Sequence, residues 1–555
     1  MTEALMDYSL AEYAGTVNSA LEKLRQNNVI ERLRSKDYTL WKPKPAEIVN
    51  RLDWLDAPAE TLEKAHYIRT VLEPLIGKDI RDAVLLGIGG SSLAVEVFNK
   101  IIGSKIGYSK LYIVDTTDPL LISSVAQNIN PANTLFLVSS KSGTTMEISS
   151  LFKYFYNFAL KSGGKSAGSR FIFITDAGSP LVKIAEEIAA HYTFFSNSDI
   201  GGRYSALSLT GIVPAAVIGL DVEKLLQNVS SNQESLMNVG ASLGTTLGTL
   251  AISGRDKLTF ALPPRWKSFG DWLEQLIAES TGKEGKGILP VLDEPLRDKD
   301  AYGKDRVFVI FQDEERKTSL PTESLINAGH PVITVKINDD YDLGKQMYIW
   351  EVATAVAAHM MGVNAFDQPD VEATKQHTRA VIADLEKNKN LKDEKPAVVF
   401  DQGEIFGNTN GATPAAVFKN FLNQAKAGDY VCLQIYLSPS PEIDAAIIFL
   451  REALAQKYSV PVTYGYGPRY LHSTGQLHKG DSGNGLFIQL TQDYSQDIDI
   501  PDKIGDEKSS LTFGVLKAAQ AKGDWQALTE AGRRIIRFHF PQNPVAGLNS
   551  IVKSL

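Results

Sequence analysis

A single cysteine in 555 residues rules out an intrachain disulfide. Cys432 lies in the apolar stretch DYVCLQIYL and reads as a buried strand residue of a chain working in a reducing compartment. Basic residues are outnumbered, 57 Lys and Arg against 65 Asp and Glu. The resulting net charge of -8 provides no bulk attraction for nucleic acid or an anionic membrane, although a local basic pocket stays open. No apolar run approaches the roughly 20 residues of a membrane span. The opening MTEALMDYSLAEYAG has no basic region leading into an apolar core, so it does not read as a signal peptide. Zinc-type Cys/His clusters and the P-loop pattern G-x-x-x-x-G-K-S/T are both missing. The expectation is a cytoplasmic protein with no metal, no cofactor, and neither a nucleic acid nor a membrane as partner.

What is present is length enough, 555 residues of which 43% are hydrophobic, for two or three domains and several well-buried cores. Residues 1–75 are polar and helix-like, with apolar positions three and four apart, as in YAGTVNSALEKLRQNNVIERL. From AVLLGIGG onward, short apolar strands alternate with amphipathic segments. LYIVD, TLFLVSS and FIFITD make a first set over 76–225. KLTFALPP, RVFVIFQD and PVITVKI make a second over 226–390. This alternation predicts an α/β protein with parallel sheets covered by helices on both faces. A third stretch, 391–555, holds AVVFDQG, DYVCLQIYL, PVTYGYG and GLFIQLT, either as a separate lobe or as strands added to the second sheet. The lysine-rich KNKNLKDEKP (387–396) marks the boundary before it.

Ligands of such sheets sit beyond the carboxyl ends of the strands. Two turns of the first set are suited to that place: GIGGSS (87–92) after AVLL, and SSKSGTT (139–145) after TLFLV. Glycine lets the backbone approach an anion, hydroxyls donate hydrogen bonds, and the N–H groups of the next helix add positive potential. The pair reads as a cradle for a phosphate monoester. The bland alternative is that these hydroxyls only cap helices.

GIGGSSL, SSKSGTT, IGGRYS (200–205), AESTGK (278–283) and FDQPDVEATK (366–375), in this order, resemble the glucose-6-phosphate isomerase family. The resemblance spans about residues 80–380. It implies two flavodoxin-like sugar-isomerase domains, a homodimer, and an aldose–ketose isomerisation of a sugar phosphate through an enediol. It places the substrate phosphate at Ser140, Lys141, Ser142, Thr144 and Thr145, with Gly90 and Ser91 in the neighbouring turn. Glu279 matches the family's base, which moves a proton between C1 and C2. Arg203 matches the arginine that stabilises the enediolate, with Gly202 letting the backbone approach the ring. Gln368 and Lys375 match substrate-binding and ring-opening positions. With Pro369 as a helix-starting residue, they are expected on one helix face two turns apart.

The ring-opening histidine departs from the pattern. Relatives of the bacterial type carry it in an L-H-S-x-G-Q-like motif between base and lysine, but KGILPVLDEPLRDKDAYG has none there. A fitting motif, RYLHSTGQLHKG, occurs at 469–480 and assigns the role to His472, with His478 as the competing choice. That motif is similar to the isomerase half of transaldolase–isomerase fusions, although no transaldolase half is seen. Acceptance of mannose 6-phosphate as well as glucose 6-phosphate is one alternative. A non-catalytic sugar-phosphate-binding regulator is the other, against which Glu279, Arg203 and Lys375 weigh together.

Overall fold

Strands of this chain are nearly continuous apolar runs because both of their faces are covered. In the computed structural model, which describes residues 5–76, 80–295, 297–298, 301–313, 322–388 and 395–553, Thr134–Ser139 and Tyr430–Tyr436 are buried at every position. Alternate side chains feed different cores: Ala83 and Leu85 face one, Val84 and Leu86 the other.

The chain begins with a short strand, β1 (Met6–Ser9), then runs through helices to Leu72. The first sheet comprises β2 (Asp82–Leu86), β3 (Lys110–Val114), β4 (Thr134–Ser139), β5 (Phe171–Asp176) and β6 (Tyr192–Ser196). All five are parallel, in the order β3-β2-β4-β5-β6. This is the flavodoxin-like winding, with its switch point between β2 and β4. Both candidate phosphate turns leave the carboxyl ends of those two strands.

The second sheet comprises β7 (Lys257–Ala261), β8 (Leu289–Val291), β9 (Arg306–Asp313) and β10 (Val332–Ile337), in the order β1-β10-β9-β7-β8. It repeats the winding for four parallel strands, and β1 closes its far edge antiparallel. The N-terminal segment is therefore not wholly helical: Met6–Ser9 is a strand of the second sheet. Its register puts Met6 opposite Val335, with Met6 buried and Asp7 and Tyr8 exposed. Between the sheets, helices Gln233–Ile252 and Asp342–Met361 lie side by side. Gly240, Gly244 and Gly248 form a stripe four residues apart, and a Cβ on Gly244 would sit 2.2 Å from the Ala353 carbonyl oxygen.

The third stretch forms its own sheet and does not extend the second. It comprises β11 (Val398–Phe400), β12 (Gly403–Phe406), β13 (Tyr430–Tyr436), β14 (Val462–Tyr466), β15 (Gly485–Gln492) and, after the hairpin β16 (Asp499–Pro501) and β17 (Ser509–Thr512), β18 (Arg534–Phe540). The order is β11-β12-β18-β15-β13-β14, in which the four strands from β14 to β18 are parallel. It has a core of its own, built on Val431, Leu433, Ile488 and Phe538. The boundary expected within 387–396 falls largely on residues 389–394, outside the described residues.

The winding of this third sheet also creates a switch point, between β13 and β15, and the first sheet's lobe fills it. The Asp118 carboxylate accepts from Ser438 Oγ and Lys517 Nζ, each at 2.7 Å, and Lys517 also donates to the Leu437 carbonyl at 3.1 Å. Beside it, Thr117 donates to Gln520 Oε1 at 2.8 Å. The third lobe is thereby docked with one face against the mouth of the first sheet.

Candidate active site

The loop after β4 turns at Gly143, whose φ of +67° lies in the left-handed region. It enters the helix Met146–Gly163 through Thr145. Thr145 holds the cap position, yet its side chain makes no capping hydrogen bond, and neither does Ser92 before the helix Leu93–Ile101. Capping therefore does not account for either hydroxyl. Ser142, Thr144 and Thr145 line a cavity of about 200 Å³, with Lys375 and Arg379 from another helix and Glu147, His472 and Gln520 in the same wall. Hydroxyls and a helix N-terminus thus meet two cations around one small space. Ser140 and Lys141 are not part of that lining. Ser140 Oγ accepts from Gly143 N at 3.2 Å, and Lys141 Nζ binds Asp176 at 2.9 Å and the Ser198 carbonyl at 2.6 Å. Both brace the loop.

The two glycine turns pack directly on each other. A Cβ on Gly90 would lie 2.1 Å from the Gly202 carbonyl oxygen, so Gly90 is demanded by this approach, whereas Gly202 has open space at its own Cβ. Ser91 stands half-buried in the same turn. Next to Gly202, the Arg203 guanidinium is buried and fully engaged. It donates to Ser280 Oγ (2.8 Å), Gln368 Oε1 (3.1 Å), Ala365 O (2.7 Å) and Asp367 O (3.0 Å). It also pairs with Glu279 at 3.3 Å.

Glu279 lies in the last turn of a helix, Lys267–Thr281, whose apolar face is driven into the core by Trp272, Leu273, Leu276 and Ile277. One turn earlier on that helix stands Gln275, only 3% exposed. Its amide nitrogen donates to Glu279 Oε2 (3.3 Å) and to the His472 carbonyl (2.6 Å). Among the described residues its Oε1 has no partner. This glutamine links Glu279 and the His472 loop.

His472 reaches the cavity from the turn after β14. Its Nε2 lies 3.0 Å from Glu147 Oε1, which also accepts from Gln520 Nε2 at 2.7 Å. Burial alone would raise the Glu147 carboxyl, but the hydrogen bond and charge of His472 outweigh it and hold the group below its ordinary range. An ionised carboxylate can only accept, so Nε2 carries the proton of this hydrogen bond and Nδ1 is left for other work. His478 faces elsewhere. It is buried between Tyr470 and Phe487, its Nε2 is 3.6 Å from Cys432 Sγ, and burial pushes its pKa well below the ordinary histidine value.

The expected pairing of Gln368 and Lys375 on one helix face is not found. The helix starts at Val371, because Gln476 takes both the Asp370 N–H (2.9 Å) and its carboxylate (2.5 Å) and holds the preceding residues in a turn. Gln368 turns to Arg203, and Lys375 to the cavity. Glu147, Gln275 and Gln520 were not singled out from sequence. Glu147 lies two residues past the hydroxyl loop and Gln275 four before Glu279, so both carried a signal. Gln520 carried none. Among the described residues, no group of three or more His, Cys, Asp or Glu side chains is arranged to hold a metal ion. Nor is any helix among them long and apolar enough to cross a membrane.

The family model for phosphoglucose isomerase matches residues 66–284, which carry both glycine turns, the hydroxyl loop, Arg203 and Glu279. Residues 66–284 thus match a phosphoglucose isomerase domain. The chain is 28% identical over 459 residues to a glucose-6-phosphate isomerase of Levilactobacillus brevis, covering 71% of this chain and 98% of that one. It is 27% identical over 342 residues to that of Campylobacter jejuni, covering 53% and 84%. A solved glucose-6-phosphate isomerase from Chlamydia trachomatis superposes with a TM-score of 0.56 at 17% identity, covering 69% and 89% of the two chains. A hypothetical protein of Thermus thermophilus superposes with a TM-score of 0.57 at 23% identity, covering 68% and 100%. These last two share the fold.

If the hydroxyl loop binds phosphate in this protein, it does so in ground and transition states alike. Replacing Ser142 and Thr145 together by Ala is then expected to raise KM for a phosphorylated sugar by ~10-fold or more, with kcat within about threefold. Steady-state kinetics reads the split, and a large kcat loss with KM untouched refutes the cradle.

Proposed function

We propose that this protein interconverts glucose 6-phosphate and fructose 6-phosphate. The observation that carries the reading is the meeting of three groups from distant parts of the chain. The hydroxyl-lined cavity shares His472 in its wall, and Gln275 joins the His472 loop to Glu279, which in turn pairs with Arg203. The substrate phosphate sits among Ser142, Thr144, Thr145 and the cations Lys375 and Arg379. His472, oriented by Glu147, and Lys375 move the proton that opens the ring. Glu279 then carries a proton between C1 and C2, and Arg203 stabilises the negative charge of the enediolate.

In this reading the third lobe completes the site by supplying His472 and Gln520 from the same chain. The protein works in the cytoplasm as a homodimer, each subunit having its own histidine. The test is a coupled assay of fructose 6-phosphate conversion by the full chain, run with and without chelator and repeated with mannose 6-phosphate. Glucose 6-phosphate formation unaffected by chelator is expected. Binding of the sugar phosphate without turnover would instead establish a regulator, and turnover of mannose 6-phosphate would establish the dual isomerase.

A further inference from the structure

The base helix stops at Thr281, and the chain turns at Gly282 into Lys283. The Lys283 side chain is 2% exposed. Its Nζ donates to Asn364 O at 2.5 Å, Asp367 O at 2.6 Å and Asp367 Oδ1 at 2.9 Å. An ammonium has three N–H donors, so none is left for a substrate. All three acceptors lie in the segment Asn364–Gln368. That same segment gives Arg203 its two backbone carbonyls, Ala365 O and Asp367 O, and its side-chain acceptor, Gln368. Asn364 Oδ1 closes the turn by accepting from Phe366 N at 3.0 Å. Two buried cations therefore hold one short segment, and one of them pairs with the base.

We propose that Lys283 is a positioning residue of the isomerase: its ammonium ties Asn364–Gln368 to the end of the base helix and thereby sets Arg203 against Glu279. The proposal rests on the isomerase reading above. Arg203 is kept at 3.3 Å from Glu279 by the carbonyls it binds on its other side. Without Lys283 that segment can retreat, Arg203 loses those carbonyls, and its place at the developing enediolate is lost. Burial, and then the charge of Arg203, push the Lys283 pKa down to about 7. An apolar side chain would fill such a site at lower cost, and groups perturbed in this way concentrate at functional sites.

The experiment compares wild type with Lys283→Met, which keeps the length and deletes all three donors. Since a misplacement of ~1 Å can cost up to about 100-fold in rate, kcat per folded molecule is expected to fall by ~10-fold or more. KM for the sugar phosphate should stay within about twofold, because Lys283 touches no part of the hydroxyl cavity. Solvent exchange of the C2 hydrogen should fall with kcat. A folded variant with normal kcat and only a lowered Tm overturns the proposal, as does a loss confined to KM. If Lys283→Met does not fold, Asp367→Ala decides. It removes one acceptor, at a side chain 32% exposed. A loss of about threefold in kcat is expected, the effect of weakening one charged hydrogen bond, and an unchanged kcat overturns the proposal. Failure of the isomerase reading looks different, since wild type itself would then convert no substrate.

Discussion

Glu279→Gln is expected to lower kcat by ~10³-fold, within the range for loss of a general base. The amide occupies the same volume, but it has one acceptor oxygen for two donors, Gln275 Nε2, now 3.3 Å from Glu279 Oε2, and Arg203, now 3.3 Å from Oε1, so it keeps one of these contacts. The capacity to take up a proton is lost, together with one acceptor and the charge facing Arg203. Arg203 keeps Ser280, Gln368 and two carbonyls as acceptors, so no buried charge is left bare and the variant should fold. Exchange of the substrate's C2 hydrogen with solvent water, followed by NMR, should decline in parallel with turnover. KM should change little, since the phosphate carries most of the ground-state binding. Near-normal exchange in a folded variant would show that another group does this work.

The second large effect separates two steps of the proposed reaction. His472→Ala is expected to lower turnover of the cyclic sugar phosphate by ~10²-fold, the lower range for a general acid–base group. The enediol step should survive. An open-chain analogue ought to keep exchanging its hydrogen in His472→Ala and to stop exchanging in Glu279→Gln. The Glu147 carboxylate, 3.0 Å from His472 Nε2, orients the imidazole. The control is His478→Ala. That ring packs between Tyr470 and Phe487, where burial keeps it neutral, so its removal should lower Tm and leave activity per folded molecule intact. Should His478→Ala alone separate the two steps, the role moves to His478. Should neither variant do so, the third lobe is scaffolding.

How much of this was legible beforehand depended on the range of the interaction concerned. Apolar runs such as TLFLVS and YVCLQIY announced strands buried on both faces, because burial is written into each residue. The hydroxyl loop, the glycine turns and the helix that carries Glu279 were readable for a similar reason: each is a continuous stretch with a local backbone pattern. Local reading failed where one residue answered to a distant partner. Pro369 is a good helix start, yet the helix waits until Val371, because Gln476, 106 positions away, holds Asp370. Lys141 looks like a phosphate ligand in SSKSGTT, but Asp176 at the end of β5 takes its ammonium.

The sequence by itself determined the α/β class, the parallel sheets, the hydroxyl loop and the residue types available for proton transfer. Short-range sterics, periodic burial and motif spacing suffice for these. Only the tertiary structure decided that Met6–Ser9 joins the second sheet, that the third stretch is a separate sheet, and that His472 rather than His478 lines the cavity. Those outcomes depend on contacts across 325 positions between His472 and Glu147 and 373 between Gln520 and Glu147. They also depend on a carboxylate, Asp118, filling the crevice of the third sheet from 399 positions away. Such pairings are set by which buried groups must be neutralised or hydrogen-bonded once the lobes meet, and no local pattern encodes the partner.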